Sequence, residues 1–172
     1  MPVFVFCIFG LMKISSFSPI IDKDSKILIL GSIPGVKSLE MQQYYAHPQN
    51  KFWKIICELF KEEFTTDYPK RKHILLKYHI ALWDVIDTCE RKGSLDTAIR
   101  NEEANQIEAL LQDYPNIQAI FCNGQKSFRN LQKILPPNFH LPIFALPSTS
   151  PAHAGFSYEM KCESWKHILN FL

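Results

Sequence analysis

Ile27-Leu-Ile-Leu-Gly-Ser-Ile-Pro-Gly35 joins an apolar, β-rich run to a tight turn marked by Pro34 and Gly35. Open α/β sheets bind ligands at such turns, where the chain leaves the carboxyl end of a strand. The next stretch, Val36 to Asn50, carries Gln42, Gln43, Tyr44, Tyr45, His47, Gln49 and Asn50, with no carboxylate after Glu40. It offers aromatic faces and hydrogen-bonding tips. A helix follows, because Phe52, Ile55, Ile56, Leu59 and Phe60 share one face while Lys51, Lys54, Glu58 and Lys61 share the other.

Working outward, the same alternation repeats. Asp67-Tyr-Pro69 opens a short basic helix to about Tyr78, with Asp67 near its cap. Ile80 to Ile86 reads as a second buried strand, interrupted by Asp84. A carboxylate in that place is more often a hydrogen-bonded anchor than a base. Cys89 to Asp96 is expected as a loop with Arg91 and Lys92 at its tip. Asn101 to Tyr114 is expected as a helix on the spacing of Ala104, Ile107, Leu110 and Leu111, ended by Pro115. Ile117 to Cys122 is a third strand leading through Asn123-Gly124 into a helix, where Asn123 has the position of a cap. Pro142 to Leu146 is a fourth strand, followed by Pro147 to Gly155 and a closing helix from Tyr158 to Leu172. Strands alternating with helices require a parallel sheet covered on both faces, which is an α/β fold. The loops after the first, third and fourth strands then share one edge.

The 172 residues, 47% of them hydrophobic, suffice for one well-buried core. Residues 13–172 are therefore read as a single domain. The apolar segment 1–12 is too short to span a bilayer and lacks the charged start of a signal peptide. Two readings of it stand: an added edge strand, or a segment ahead of a start at Met12. A net charge of +2 excludes any bulk electrostatic argument for nucleic acid and leaves only a local basic surface. Five dispersed cysteines without a C-x-x-C pair argue against a zinc ribbon or an iron–sulfur cluster and fit a reducing cytoplasm. Ser148, Ser150 and His153 suggest a hydrolase nucleophile with its base, but no Gly-x-Ser-x-Gly elbow is present. The Gly-Ser-Ile-Pro-Gly turn lacks the Lys-Ser/Thr of a P-loop and the third glycine of a dinucleotide fingerprint.

The string HPQNKFW, residues 47–53, resembles the first motif of the uracil-DNA glycosylase superfamily, most of all its hypoxanthine-DNA glycosylase branch. Three further blocks match in order: ALWDVIDTCERKGSLDTAI at 81–99, FCNGQKSF at 121–128 and LPSTSPAHAG at 146–155. The resemblance implies a three-layer αβα fold around a four-stranded, mainly parallel sheet. It implies a monofunctional DNA glycosylase that flips out a deaminated base, hypoxanthine first, and cuts its N-glycosidic bond with water, using no cofactor and no metal. Such an enzyme works as a cytoplasmic monomer, without a membrane, on DNA containing the damaged base. The alternatives are a mismatch-specific uracil or thymine glycosylase and a non-catalytic lesion-binding module.

The residues follow from the matched motifs. Asn50 and His153 take the catalytic places, Asn50 orienting water and stabilising charge in an oxocarbenium-like transition state. Tyr45, Asn123 and Ser32 take the base-binding places, and Tyr45 would stack on the flipped base. Gly35, Ser148, Ser150, Pro151 and Phe156 take the DNA-binding places, with Ala154, Gly155 or Phe156 as a minor-groove wedge. Two departures bear on this. Ile33 stands where other branches put an Asp, Asn or Glu that activates water, a lack shared by the hypoxanthine branch. His153 stands where that branch usually has Asn, which adds a group that titrates near neutrality.

Overall fold

The computed structural model describes residues 7–8 and 11–172, and the rest of the 1–12 extension lies outside the described residues. The strands are Cys7–Ile8 (β1), Leu11–Ser15 (β2), Ile27–Gly31 (β3), Ile80–Asp84 (β4), Ile86–Arg91 (β5), Arg100–Ala104 (β6), Ala119–Asn123 (β7) and Ile143–Leu146 (β8). The α-helices are Val36–Met41 (α1), Phe52–Leu59 (α2), Tyr68–Lys77 (α3), Ile107–Asp113 (α4), Gln125–Ile134 (α5) and Tyr158–Trp165 (α6), the last running into a 3₁₀ turn over Lys166–Phe171.

Four strands form an all-parallel sheet in the order β4-β3-β7-β8. Its central strands have no polar face because both faces are covered. Ile27, Ile29, Ile80, Leu82 and Phe121 pack with Ile55 and Ile56 of α2, Leu75 of α3 and Trp165 of α6. Leu28, Leu30, Ala81, Ile120 and Cys122 pack on the other side with Ile107 and Leu110 of α4 and Leu131 of α5. This is the expected three-layer αβα arrangement. The register pairs Gly31 with Asp84 and Asn123 with Leu146, so the strands end together at one edge. Asp67 caps α3 as expected, its carboxylate accepting the Lys70 N–H at 2.9 Å.

A second, antiparallel sheet, β1-β2-β5-β6, departs from the sequence expectation. The chain does not stop at the end of β4. The Val85 and Ile86 N–H groups donate to the Gly31 and Ser32 carbonyls, and β5 then runs through Arg91, where a loop was expected. Residues 100–104 are strand rather than the first half of a helix, which starts only at Ile107. Every β6 residue is exposed, so the strand carries no period-two apolar signal. It is held by its ladder to β5 and by polar cross-strand pairs, Thr88 to Glu103 and Asn101 to Glu90, each at 2.8 Å. Beneath this sheet Ile14, Ile33, Ile86, Cys89 and Ile99 form a small core of their own with Leu39 packed against it.

Candidate active site

The carboxyl edge of the parallel sheet opens into a cavity of about 490 Å³. Its walls come from the turn after β3, the loop between α1 and α2, the end of β4, the hairpin tip between β5 and β6, and the loops after β7 and β8. Ser32, Gly35, Tyr45, Asn50, Asn123, Ser148, Ser150, Pro151 and His153 all line it, so residues expected to act together are brought together. Phe156 is not on the wall. It lies at the rim, 37% exposed, with its ring against that of His153 at 5.4 Å and 24°.

The loop carrying Tyr45 is fixed from below by the Phe52-Trp53 pair. The Trp53 indole N–H donates to the Tyr44 carbonyl at 2.8 Å, and the Tyr45 ring rests on Phe52 at 4.3 Å. Ser38 adds a brace by accepting the Ala46 N–H. Tyr45 holds a left-handed backbone, φ 52°, which turns its hydroxyl inward to a buried position without a hydrogen-bond partner. Burial first, and the Asp84 charge second, hold its ionisation far above the ordinary range.

Asn50 stands one residue before the cap position of α2, which is Lys51. Its Oδ1 still accepts the Phe52 N–H at 2.9 Å, so the side chain does part of a cap's work while standing outside the cap position. That bond fixes the amide plane and leaves the NH₂ group as a donor on the cavity wall. His47, by contrast, is exposed and accepts the Gln49 N–H on Nδ1.

Asn123 does not cap α5, whose cap position is Gly124. Its amide grips Thr149 instead: Nδ2 donates to Oγ1 and Oδ1 accepts the backbone N–H, both at 2.9 Å. Thr149, fully buried, went unmarked in the sequence reading because nothing local distinguishes it from the flanking serines. The clamp ties the loop after β8 to the end of β7. Within that loop Ser148 and Ser150 accept the N–H groups of Ser150 and Ala152, which leaves their hydroxyl protons free to donate outward. Lys161, only 5% exposed, donates to the His153 carbonyl at 3.0 Å and braces the loop from α6.

Ile33 is among the residues lining the cavity, but its aliphatic side chain cannot activate water. It is 7% exposed and belongs to the core under the second sheet. Arg91 is likewise no surface cation. Its guanidinium is buried and donates to the Gly93 and Pro34 carbonyls, tying the hairpin to the turn after β3. That hairpin brings Ser94, Leu95, Asp96 and Thr97 to the cavity, and Ser32 donates to Asp96 at 2.9 Å. A loop over Cys89 to Asp96 with Arg91 and Lys92 at its tip gives no reason to place these four residues at the site, because the hairpin pairing that carries them there leaves no mark in their side chains.

Asp84 is 3% exposed and lines the same cavity. Its backbone carbonyl accepts from Asn105, but its carboxylate Oδ2 is buried without a donor. The expected hydrogen-bonded anchor is therefore absent. Burial and the neighbouring Asp96 charge push its pKa up to about 7, against a smaller downward pull from Arg91. A Cβ at Gly31 would collide with both the Asp84 carboxylate and the Tyr45 hydroxyl, so these two groups converge over that glycine.

The family model of the uracil DNA glycosylase superfamily matches residues 18–172. The chain belongs to this superfamily. A hypoxanthine DNA glycosylase of Methanosarcina barkeri is 41% identical over 117 residues, 67% of this chain and 74% of that protein. A hypoxanthine DNA glycosylase of Methanosarcina acetivorans is 33% identical over 153 residues, 88% of this chain and 95% of that protein. The solution structure of a Methanosarcina acetivorans protein described as a uracil DNA glycosylase candidate superposes with a TM-score of 0.79 at 31% identity. The match covers 92% of this chain and 99% of that one. Cys57, Cys89, Cys122 and Cys162 are buried free thiols, in keeping with an apolar packing role. Among the described residues no helix is long and apolar enough to cross a membrane.

Proposed function

We propose that this chain is a monofunctional DNA glycosylase that removes a deaminated purine, hypoxanthine, from DNA. The observation that carries the reading is the Asn50 amide, oriented by its bond to Phe52 and set on the wall of a cavity whose water-activating turn position is occupied by buried Ile33. Superfamily members of the hypoxanthine-glycosylase type are the relatives of this chain, and a purine needs a roomy, aromatic-floored cavity of this kind. The base would be swung out of the stack and laid on Tyr45, with Asn123 and Ser32 at its edge. As the C1′–N9 bond lengthens, positive charge builds on the sugar and negative charge on the base. Asn50 orients the attacking water and donates to developing charge, while His153, on the loop after β8 that lines the same cavity, would be a second donor. Ser148, Ser150, Pro151, Phe156 and the Gly35 turn face the DNA strand, their free hydroxyl protons suited to phosphate oxygens. The chain acts as a cytoplasmic monomer on DNA containing the damaged base.

The test is a strand-break assay, after alkali, on oligonucleotides carrying a single deoxyinosine, deoxyuridine, deoxyxanthosine or mismatched thymidine. Cleavage at deoxyinosine above the others is expected, and Asn50→Ser should slow single-turnover cleavage by ~10²–10³ while keeping a capping oxygen. Binding without cleavage on all four would mark a lesion-binding module. Near-normal cleavage by Asn50→Ser would remove Asn50 from the chemistry.

A further inference from the structure

Asp84 is the buried ionisable group that the reading above leaves without work. It ends β4 beside Gly31 and lines the cavity at only 3% exposure, whereas Asn50, lining the same cavity, is half-exposed. A flipped nucleotide enters base first. Its sugar therefore stays beside half-exposed Asn50, and a purine turned with its Hoogsteen edge toward buried Asp84 brings N7 to that carboxyl. Tyr45 sharpens this placement, since its hydroxyl end and the Asp84 carboxylate meet over Gly31. A purine lying on the Tyr45 ring would extend its edge toward Asp84. A carboxyl group there with a buried oxygen and no protein donor of its own has hydrogen-bonding capacity left for an incoming ligand.

We propose that Asp84, in its protonated form, is the general acid that delivers a proton to N7 of the departing purine. This rests on the glycosylase reading and adds to it a residue and a chemical class: a purine with an unsubstituted N7. The step balances simply. The C1′–N9 bond breaks and its electron pair moves into the imidazole ring as the Asp84 proton moves to N7. Hypoxanthine leaves neutral, water adds its oxygen to C1′ and releases one proton to solvent, and solvent returns a proton to the Asp84 carboxylate. A purine anion is a poor leaving group, so this proton lowers the barrier where Asn50 alone cannot, because an amide has no proton to give at neutral pH.

The surroundings suit an acid. Asp96 from the hairpin tip opposes ionisation of Asp84, Tyr44, Tyr45 and Tyr68 face it as neutral phenols, Arg91 pulls the other way while engaged with backbone carbonyls, and Lys37 and Lys126 on the cavity wall are paired with Glu40 and Glu102. With its pKa pushed up to about 7, the carboxyl keeps its proton below about pH 7 and gives it up above. A base at this position would give the opposite pH dependence.

The deciding measurement is the single-turnover rate on deoxyinosine duplex from pH 5 to 9. The wild-type rate should be level at low pH and fall about tenfold per pH unit above roughly pH 7, the behaviour of one required proton. Asp84→Asn should be slower by ~10²–10⁴ at low pH and lack that falling limb, while binding 2′-fluoro-deoxyinosine duplex within a few-fold of wild type. His153→Asn should keep the limb, which separates Asp84 from the imidazole lining the same cavity. A wild-type rate that is flat or rises with pH overturns the proposal whether or not Asp84→Asn folds. So does an Asp84→Asn protein with the wild-type rate. A wild type that cleaves deoxyinosine at no pH overturns the substrate reading, and this inference with it.

Discussion

At Asp84 a single side chain sets chemistry against stability. Its folded-state pKa is raised from 3.8 to about 7 by burial, so the folded chain holds a proton that the unfolded chain has already lost. Stability is therefore full below about pH 4, declines as pH rises toward 7, and stays lowered above it, at a cost on the order of a few kcal/mol. Asp84→Asn removes that dependence. Its Tm should exceed the wild-type value at pH 8 and converge with it toward pH 4, as followed by circular dichroism across that range. A Tm difference independent of pH would mean that the carboxyl is not protonated in the folded protein. Evidence of this trade-off was available in the sequence, since a carboxylate inside Ile80 to Ile86 broke an otherwise apolar run. The expected explanation, an anchoring hydrogen bond, is what the structure withholds.

Among elements, the loop after β8 depends most on contacts distant in sequence. Thr149 hangs from Asn123, Lys161 holds the His153 carbonyl, and the Lys51 N–H donates to the Thr149 carbonyl. These braces leave Phe156 projecting at the rim against His153. An exposed ring on a rigid loop is suited to fill the gap left by an extruded base. Phe156→Ala should therefore lower single-turnover cleavage in duplex by roughly tenfold or more, against little change on single-stranded substrate, in line with a stacking contribution of ~1–3 kcal/mol. Equal losses on both would assign the ring to loop packing. The loop itself was legible in the Pro-Ser-Thr-Ser-Pro string, as were the parallel strands, whose apolar runs have no other use than double-sided burial. What stayed hidden was whatever depended on backbone pairing alone. β6 presents only exposed polar side chains, and Arg91, a surface cation by composition, is buried because two carbonyls distant or local in sequence accept from it.

Across the whole molecule the cavity is a seam between two sheets of unequal protection. One wall hangs from β3 and β7, buried along their whole length, and from half-buried β8; the other is the hairpin tip 94–97, carried by β5 and the exposed edge strand β6. Local opening free energy follows burial, so the two walls should differ in amide exchange. Leu28 to Leu30 and Ile120 to Cys122 should exchange only through global unfolding. Arg100 to Ala104 and the tip should open independently, and a gap of ~3 kcal/mol would make them exchange faster by roughly 100-fold. A substrate filling the cavity would meet both walls, since Ser32 reaches Asp96 on one side and the Asn123–Thr149 clamp stands on the other. Adding duplex that contains 2′-fluoro-deoxyinosine should slow exchange at 94–97 and 148–153 together while leaving the already protected β3 and β7 unchanged. Protection confined to 148–153 would show that DNA engages one wall only and that the second sheet is scaffold without a part in recognition.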